Sequence, residues 1–442
     1  MGKDVKRGKG KEEKKKAKER MFQSPKGMHD VLPADQPWWD RIRKVARELA
    51  EFYSFGRIET PMLEPVELFM RGVGEETDLV EKEMYVLKTK GGDMLALRPE
   101  GTAAVCRAYL EHHLSRNAQP QKLWYDGPFF RHENPQAGRF RQFNQVGFEI
   151  IGGQNDPVYD AQIIIIFERL LEELKIKNRT LKINSIGCRV CRPIYKKQLQ
   201  YAYRQHEKNL CGDCSRRLKT NPLRLLDCKK PECQEAKEKA PNFLDKLCVT
   251  CSGHLKSVLE YLDEVGIPYG LDNRLVRGLD YYSRTVFEFG VEGPGTEVGT
   301  LPGGGRYDYL MELLGGRLTP AVGGACGIER LVAVMKAQEV KLPPRQPKKV
   351  FLMHVGETAK KKSMKIIEDL RVAGISVMES LGRESLRAQM KNADKEGTDL
   401  ALIFGQKEIF EESIIVRNLK TSLQETVPLA KLVEEIKRRA KG

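Results

Sequence analysis

The sequence predicts an α+β fold: an antiparallel sheet flanked by helices, with a helical insertion and a small C-terminal α/β domain. Three observations predict it. Residues 121–133 and 139–152 are aromatic-rich, alternating segments separated by the short polar stretch NPQAG, the pattern of two long strands folded back on each other. Residues 184–268 interrupt the sheet pattern with charged, helical sequence that carries most of the cysteines. Beyond residue 349, short apolar runs alternate with helical periodicity, as in a compact α/β unit.

The elements follow in order. Residues 1–20 are lysine-rich and low in complexity, predicting a disordered tail. Asp35 is placed to cap a helix with Pro37 in its first turn, running to a stop at Gly56. The segment 57–65 reads as a strand, and 84–102 as two strands around a Gly91-Gly92 turn. Residues 103–114 and 158–174 read as helices around the hairpin. After the insertion, strand signals return at 284–291 and around 301–310. Residues 321–338 read as a glycine turn entering a helix, and 342–349 as a proline-rich linker. Thus 21–341 forms the predicted main domain, with the insertion at about 184–268, and 350–442 the second domain.

The composition bounds the function. The 442 residues carry 76 basic and 61 acidic side chains, a net charge of +15, of which residues 1–20 hold +6. A basic body and a basic tail favour a polyanionic partner, nucleic acid first. No window reaches the roughly 18 apolar residues of a membrane helix, and the first twenty residues do not read as a secretory signal. The expectation is a cytoplasmic protein without a membrane partner. Eight of the ten cysteines fall between Cys188 and Cys251. In a reducing compartment they read as reduced thiols or metal ligands rather than disulfides. The pairs Cys188/Cys191, Cys211/Cys214, Cys228/Cys233 and Cys248/Cys251 would suit one or two tetrahedral zinc sites of structural kind, and the spacing leaves the pairing open. Eight reduced cysteines in a small helical insertion is the alternative.

Neither a P-loop nor a dinucleotide-binding glycine fingerprint is present. A nucleotide would have to be held by arginines, whose guanidinium groups pair bidentately with phosphate oxygens. Arg131, Arg139, Arg141 and Arg330 sit at the ends of predicted strands or at a helix start. One such arginine is ordinarily a surface ion pair, and only their combination carries weight.

Six segments then bear a family resemblance. TPMLEP at 60–65, FRHENPQAGRFRQFNQVGFEIIG at 130–152 and GGACGIERL at 323–331 resemble the three motifs of class II aminoacyl-tRNA synthetases. LVRGLDYYSRTVFEF at 275–289 and GGGRYD at 303–308 resemble the segments that mark histidyl-tRNA synthetases of the bacterial type, and LRPEGTAA at 97–104 is similar to the same family. The resemblance implies a class II catalytic domain with a six- or seven-stranded antiparallel sheet, an anticodon-binding C-terminal domain, and a homodimer built through the first motif. It implies activation of histidine by ATP with Mg²⁺, then transfer to the 3′ end of tRNA(His). Two readings from other classes stay open: a catalytically inactive paralogue such as the regulatory subunit of ATP phosphoribosyltransferase, and an RNA-binding factor that reuses the fold.

The resemblance also implies roles. Arg131 would bind the α-phosphate and Arg330 the far end of the triphosphate. Arg277 would neutralise the α-phosphate where other class II enzymes place a metal; its plainer reading is an ion pair with an acid such as Asp280. Glu100, Thr102 and Gln145 would take the amino group of histidine, and Glu149 and Tyr282 its imidazole. Tyr281 is adjacent, and strand alternation would turn only one of the two tyrosines inward, Tyr282. Gln136, Arg139 and Arg141 would meet the acceptor end of the tRNA, Arg141 near a phosphate and Gln136 near a base.

Overall fold

The computed structural model describes residues 22–75, 77–343, 350–383 and 385–440. The lysine-rich segment 1–20, and residues 344–349 of the linker, lie outside the described residues. The chain divides into two compact units between Leu342 and Pro343.

In the first unit the strands are β1 (Gly56–Arg57), β2 (Leu63–Pro65), β3 (Tyr85–Lys88), β4 (Met94–Leu97), β5 (Gln121–Phe130), β6 (Gln142–Ile151), β7 (Arg179–Ser185), β8 (Gly270–Leu271), β9 (Ser283–Val291), β10 (Pro302–Arg306) and β11 (Ala321–Gly327). Eight of them form one sheet in the order β1-β5-β6-β11-β10-β9-β7-β8. The six inner strands are antiparallel throughout, and the two-residue strands β1 and β8 add parallel pairs at the edges. The hairpin predicted from alternation is β5–β6, paired continuously from Gln121↔Ile151 to Phe130↔Gln142.

Alternation along β6 divides the two faces. Val146, Phe148 and Ile150 enter a core shared with the helices Gln36–Phe52, Val158–Glu173, Val249–Val265 and Ile328–Ala337. Ile163, Ile164, Ile166 and Phe167 are wholly buried there, each side chain stabilising the packing by about 1.5–3 kcal/mol. Gln145, Gly147 and Glu149 point to the opposite face. That face is closed by the helices Val66–Val73 and Thr102–Glu111 and by the insertion, a chain of short helices between β7 and β8. β2, β4 and β3 form a separate small antiparallel sheet.

Several local expectations differ from the structure. Asp35 stands at the helix N-terminus but makes no capping bond, and its carboxylate instead meets Lys336 at 2.5 Å. That helix ends at Phe52, before Gly56, where Ser54 takes a left-handed conformation (φ 62°). The segment 57–65 supplies two short strands in different sheets rather than one.

The glycine run 321–327 is not a turn but β11, an interior strand, and the helix starts only at Ile328. Its glycines and those of β10 are there because functional side chains lie directly over them. A Cβ on Gly323 would collide with the Glu149 carboxylate, and one on Gly303 would come within 2.5 Å of the Arg277 guanidinium.

The second unit holds β12 (Val350–His354), β13 (Val377–Glu379), β14 (Leu400–Phe404), β15 (Ser413–Asn418) and β16 (Gln424–Pro428) in the order β13-β12-β14-β15-β16. The first three pair in parallel and the last two antiparallel. β16, rich in polar residues on an edge, had no apolar run to announce it.

Candidate active site

All but one of the arginines singled out from the sequence converge. Arg131, Arg139, Arg277 and Arg330 line one cavity of about 260 Å³ at the loop end of the β5–β6 hairpin, together with Gln145 and Phe143. Each arginine arrives by a different route. Arg131 follows the last residue of β5 and anchors only its Nε, on the Pro99 carbonyl at 2.9 Å, with its guanidinium 5.3 Å from the Phe143 ring. Arg330 lies in the first turn of the helix after β11 and donates from Nε to the Gly138 carbonyl at 2.8 Å and from Nη1 to the Thr300 carbonyl at 2.5 Å. Arg277 lies over Gly303 and forms an ion pair with Glu288 rather than with Asp280. Among the described residues, the terminal nitrogens of Arg131, Nη2 of Arg330 and Nη2 of Arg277 have no hydrogen-bond partner, and Nε of Arg277 is buried without one.

This crowding of cations has an electrostatic cost. Burial, followed by the neighbouring Arg139 and Arg131, pushes the Arg330 pKa below the usual arginine value. Burial works the same way on Arg277, but Glu288 outweighs it and raises that guanidinium above the usual value. Gln145, on the site face of β6, presents a buried Oε1 without a partner. A cleft of incompletely paired guanidinium groups beside an orphan amide oxygen is complementary to an anion carrying a nearby donor.

Next to this cleft lies a buried polar cluster. Glu149, fully buried on β6, accepts hydrogen bonds from Thr102 Oγ1 (2.8 Å), Tyr307 Oη (2.5 Å) and Tyr125 Oη (3.3 Å). Burial outweighs these three donors, and its pKa is pushed up to about 8. Gly147 leaves the space that the Tyr125 ring occupies, because a Cβ there would collide with it. Glu100 accepts from the amides of Thr102 and Ala103 at 2.8 Å each, closing the N-terminus of the helix Thr102–Glu111, and from Tyr281 Oη at 3.3 Å.

Tyr281 and Tyr282 are both buried, at 3% and 4% exposure, where alternation predicted one. They precede β9, which begins at Ser283, so strand geometry does not govern them. The rings pack on each other with centroids 4.7 Å apart, and the Tyr282 ring lies 5.9 Å from the Arg277 guanidinium, linking the cluster to the cleft.

The remaining predicted residues divide. Gln136 and Arg139 form a small bridge at the tip of the hairpin loop, and Arg139 also pairs with Glu133 at 3.2 Å. Both line a second, open depression of about 500 Å³ with Lys82 and His132. Arg141 lines neither cavity: its side chain packs against Gly27 and donates from Nε to the Glu133 carbonyl at 3.3 Å. The eight insertion cysteines sort into two groups of four, Cys188, Cys191, Cys248 and Cys251, and Cys211, Cys214, Cys228 and Cys233.

Sequence reasoning missed the donors to Glu149, Tyr125 and Tyr307, and the counter-ion Glu288. Tyr307 lay inside GGGRYD and Glu288 inside LVRGLDYYSRTVFEF, segments already singled out, while Tyr125 carried no signal beyond ordinary strand alternation.

Comparison with known proteins agrees with this geometry. The sequence model of the histidyl-tRNA synthetase family matches residues 27–331, and that of an anticodon-binding domain matches 349–439. A histidine–tRNA ligase of Dehalococcoides mccartyi is 47% identical over 418 residues, covering 95% of this chain and 100% of the relative. One from Desulforamulus reducens is 43% identical over 415 residues, covering 94% and 99%. Among solved structures, apo histidyl-tRNA synthetase of S. aureus superposes with a TM-score of 0.79 at 35% identity, covering 94% of this chain and 99% of that one. A Bacillus halodurans structure described as an ATP phosphoribosyltransferase regulatory subunit/histidyl-tRNA synthetase matches with a TM-score of 0.61 at 23% identity, covering 84% of this chain and 97% of that one, a likeness of fold alone.

Proposed function

The chain belongs to the histidyl-tRNA synthetase family, and from that premise we propose how its site performs the ligation of histidine to tRNA. The activity is that of a histidine–tRNA ligase: ATP and histidine give histidyl-adenylate and pyrophosphate, and the histidyl group passes to the 3′ end of tRNA(His) with release of AMP. The observation that carries the assignment of roles is the single cavity shared by Arg131, Arg277 and Arg330, with the Glu149 cluster joined to it through Tyr282.

In this reading the histidine carboxylate attacks the α-phosphate while Arg131 and Arg277 hold the phosphate oxygens. Negative charge grows on those oxygens in the transition state, and pre-aimed guanidinium groups stabilise it without reorganising. Arg330, deeper on the helix side, holds the outgoing pyrophosphate. Phe143 offers an aromatic face in the same cavity for the purine. The ammonium of histidine meets the orphan Oε1 of Gln145 and the carboxylate of Glu100, with Thr102 beside it. Glu149 and Tyr282 take the two imidazole nitrogens, so a side chain lacking either nitrogen leaves a buried group unpaired. Glu133 and Glu329, the carboxylates lining the cavity, would hold the magnesium ion that the nucleotide brings, which would neutralise phosphate charge.

Around that chemistry, Gln136 and Arg139 at the loop tip meet the acceptor end of the tRNA, with Arg141 bracing the loop. The second unit reads the anticodon region. The working form is a cytoplasmic homodimer. Two observations support these assignments: the exposed apolar residues Met62, Leu63, Val86, Leu87 and Met94 gather on the small sheet that holds the first motif, and among the described residues no helix is long and apolar enough to cross a membrane.

Histidine-dependent exchange of pyrophosphate into ATP tests the reading. Wild-type protein should exchange, and Arg277→Ala should lower kcat by about 10²–10³-fold with little change in the KM for ATP, as expected of a group used in the transition state. No exchange from folded wild-type protein, or equal loss of binding and turnover in the variant, would overturn it.

A further inference from the structure

The insertion between β7 and β8 runs to about eighty residues, and its buried apolar side chains, among them Tyr195, Leu199, Tyr203, Leu218 and Phe243, belong to a cluster it shares with the sheet domain rather than to a core of its own. Units of this size ordinarily need staples. The two cysteine groups are placed as staples and are nested along the chain. Cys188 and Cys191 open the first insertion helix (Cys191–Arg204), and Cys248 and Cys251 open the last (Val249–Val265). Between them, Cys211 and Cys214 flank the start of the helix Gly212–Thr220, and Cys228 and Cys233 bracket the turn Pro231–Cys233.

The sulfur spacing selects the occupant. Sγ–Sγ distances are 3.7 Å (Cys188–Cys191), 3.9 Å (Cys188–Cys248), 3.8 Å (Cys191–Cys251) and 4.0 Å (Cys211–Cys228), and within each group all sulfurs lie within 4.8 Å of one another. A tetrahedron with zinc–sulfur bonds of about 2.3 Å has edges of about 3.8 Å. A disulfide would need about 2.05 Å, and all ten cysteines are free. An iron–sulfur cluster, in which cysteines bind different irons, would spread the sulfurs farther apart. Backbone amides already donate to these sulfurs, from Cys188 to Cys191 Sγ (3.2 Å), Val190 to Cys188 Sγ (3.4 Å) and Cys211 to Cys233 Sγ (3.3 Å), as they do to metal-bound thiolates.

The inner group also bears on the active site. Between Cys214 and Cys228 lie Asn221 and Arg224. Arg224 Nη1 donates to the Arg277 carbonyl at 3.2 Å, and Asn221 Nδ2 donates to the Asp280 carboxylate at 2.9 and 3.1 Å. The segment carrying Arg277, Tyr281 and Tyr282 is therefore held from outside by the turn that the inner cysteines frame.

We propose that the insertion binds two mononuclear, four-thiolate zinc ions, one in each group, and that the inner ion acts as a positioning device for Arg277. The first part stands on the cysteine geometry alone; the second rests on the role given to Arg277 above. The outer ion clamps the two ends of the insertion where it leaves and rejoins the sheet domain.

Elemental analysis of the full chain, purified without chelator, should find about two zinc ions per chain, and about one in either Cys188→Ser/Cys191→Ser or Cys211→Ser/Cys214→Ser. Protein loaded with Co²⁺ alone should show intense thiolate-to-cobalt charge transfer and tetrahedral ligand-field bands. Fewer than about half a zinc per chain, octahedral cobalt spectra, or bound iron with sulfide would overturn the sites. For the positioning role, Asn221→Ala and Arg224→Ala leave every cysteine in place. They should keep both zinc ions and the KM for ATP while lowering kcat of pyrophosphate exchange by about tenfold or more. Unchanged kcat would overturn the positioning while leaving the metal count standing; absent exchange in zinc-replete wild-type protein would instead fault the assigned reaction.

Discussion

At the scale of single residues, the recognition proposed above turns on Glu149. Burial holds its pKa near 8, so in the free protein at neutral pH most molecules carry it protonated. If the carboxylate accepts an imidazole N–H, kcat/KM for histidine should rise about tenfold between pH 7 and 9 with an inflection near 8, and Glu149→Gln should flatten that limb. A pH profile without that limb would remove Glu149 from the binding step. The same shift sets a stability slope. Its pKa is raised on folding, so its contribution is greatest below the ordinary glutamate range and is lost as pH rises through about 8. The residue was legible because it sits in a recognisable motif. The reason for its raised pKa was not, since Tyr125, Thr102 and Tyr307 reach it from three other elements.

Among elements, alternation and periodicity found the structure wherever apolar residues recur at a regular spacing along the whole element. The β5–β6 hairpin and the helix Val158–Glu173 are of that kind. They failed at β11, where glycine replaces the pattern because Glu149 and Phe148 crowd the strand, and at Tyr281–Tyr282, which belong to a turn. They were silent on the contact that joins β10 to the helices behind it. Arg306, 1% exposed, donates from Nε to Asp160 at 3.0 Å and from Nη1 to Asp308 and Asn155 at 3.1 and 3.0 Å, while His254 from the insertion's last helix lies 3.3 Å from Asp160. Burial alone would raise the Asp160 carboxyl, but Arg306 and His254 outweigh it and hold it below the usual range. Its contribution is therefore complete above the ordinary aspartate pKa and is lost only as pH falls through the lower folded value. Asp160→Ala, which strands Arg306 without its partner, should cost about 3–5 kcal/mol in urea unfolding at pH 7. A loss under about 1 kcal/mol would show that Asp308 and Asn155 suffice.

For the whole molecule, the two-unit division follows a linker visible in composition, and the class II architecture follows motifs spread across the first unit. The oligomeric state is less directly encoded, because an exposed strand of mixed character reads the same with or without a partner. The apolar residues on the β2-β4-β3 sheet are the measurable point. Sedimentation should give twice the chain mass for wild-type protein, and Met62→Glu with Leu63→Glu should give monomer with reduced exchange activity. A variant that still sediments at the doubled mass would move the interface elsewhere.

The mutual repulsion of Arg131, Arg139 and Arg330 has a practical consequence. A cleft lined by such mutually repelling cations should take up small anions from solution, and the melting temperature of the protein becomes a gauge of buffer composition. Inorganic pyrophosphate at millimolar level should raise Tm by about 2 °C, what roughly 2 kcal/mol of linkage delivers in a chain this long, whereas equal ionic strength as chloride should do far less. Affinities for ATP measured in phosphate buffer would then understate the true value, because the solvent would already occupy the nucleotide's place.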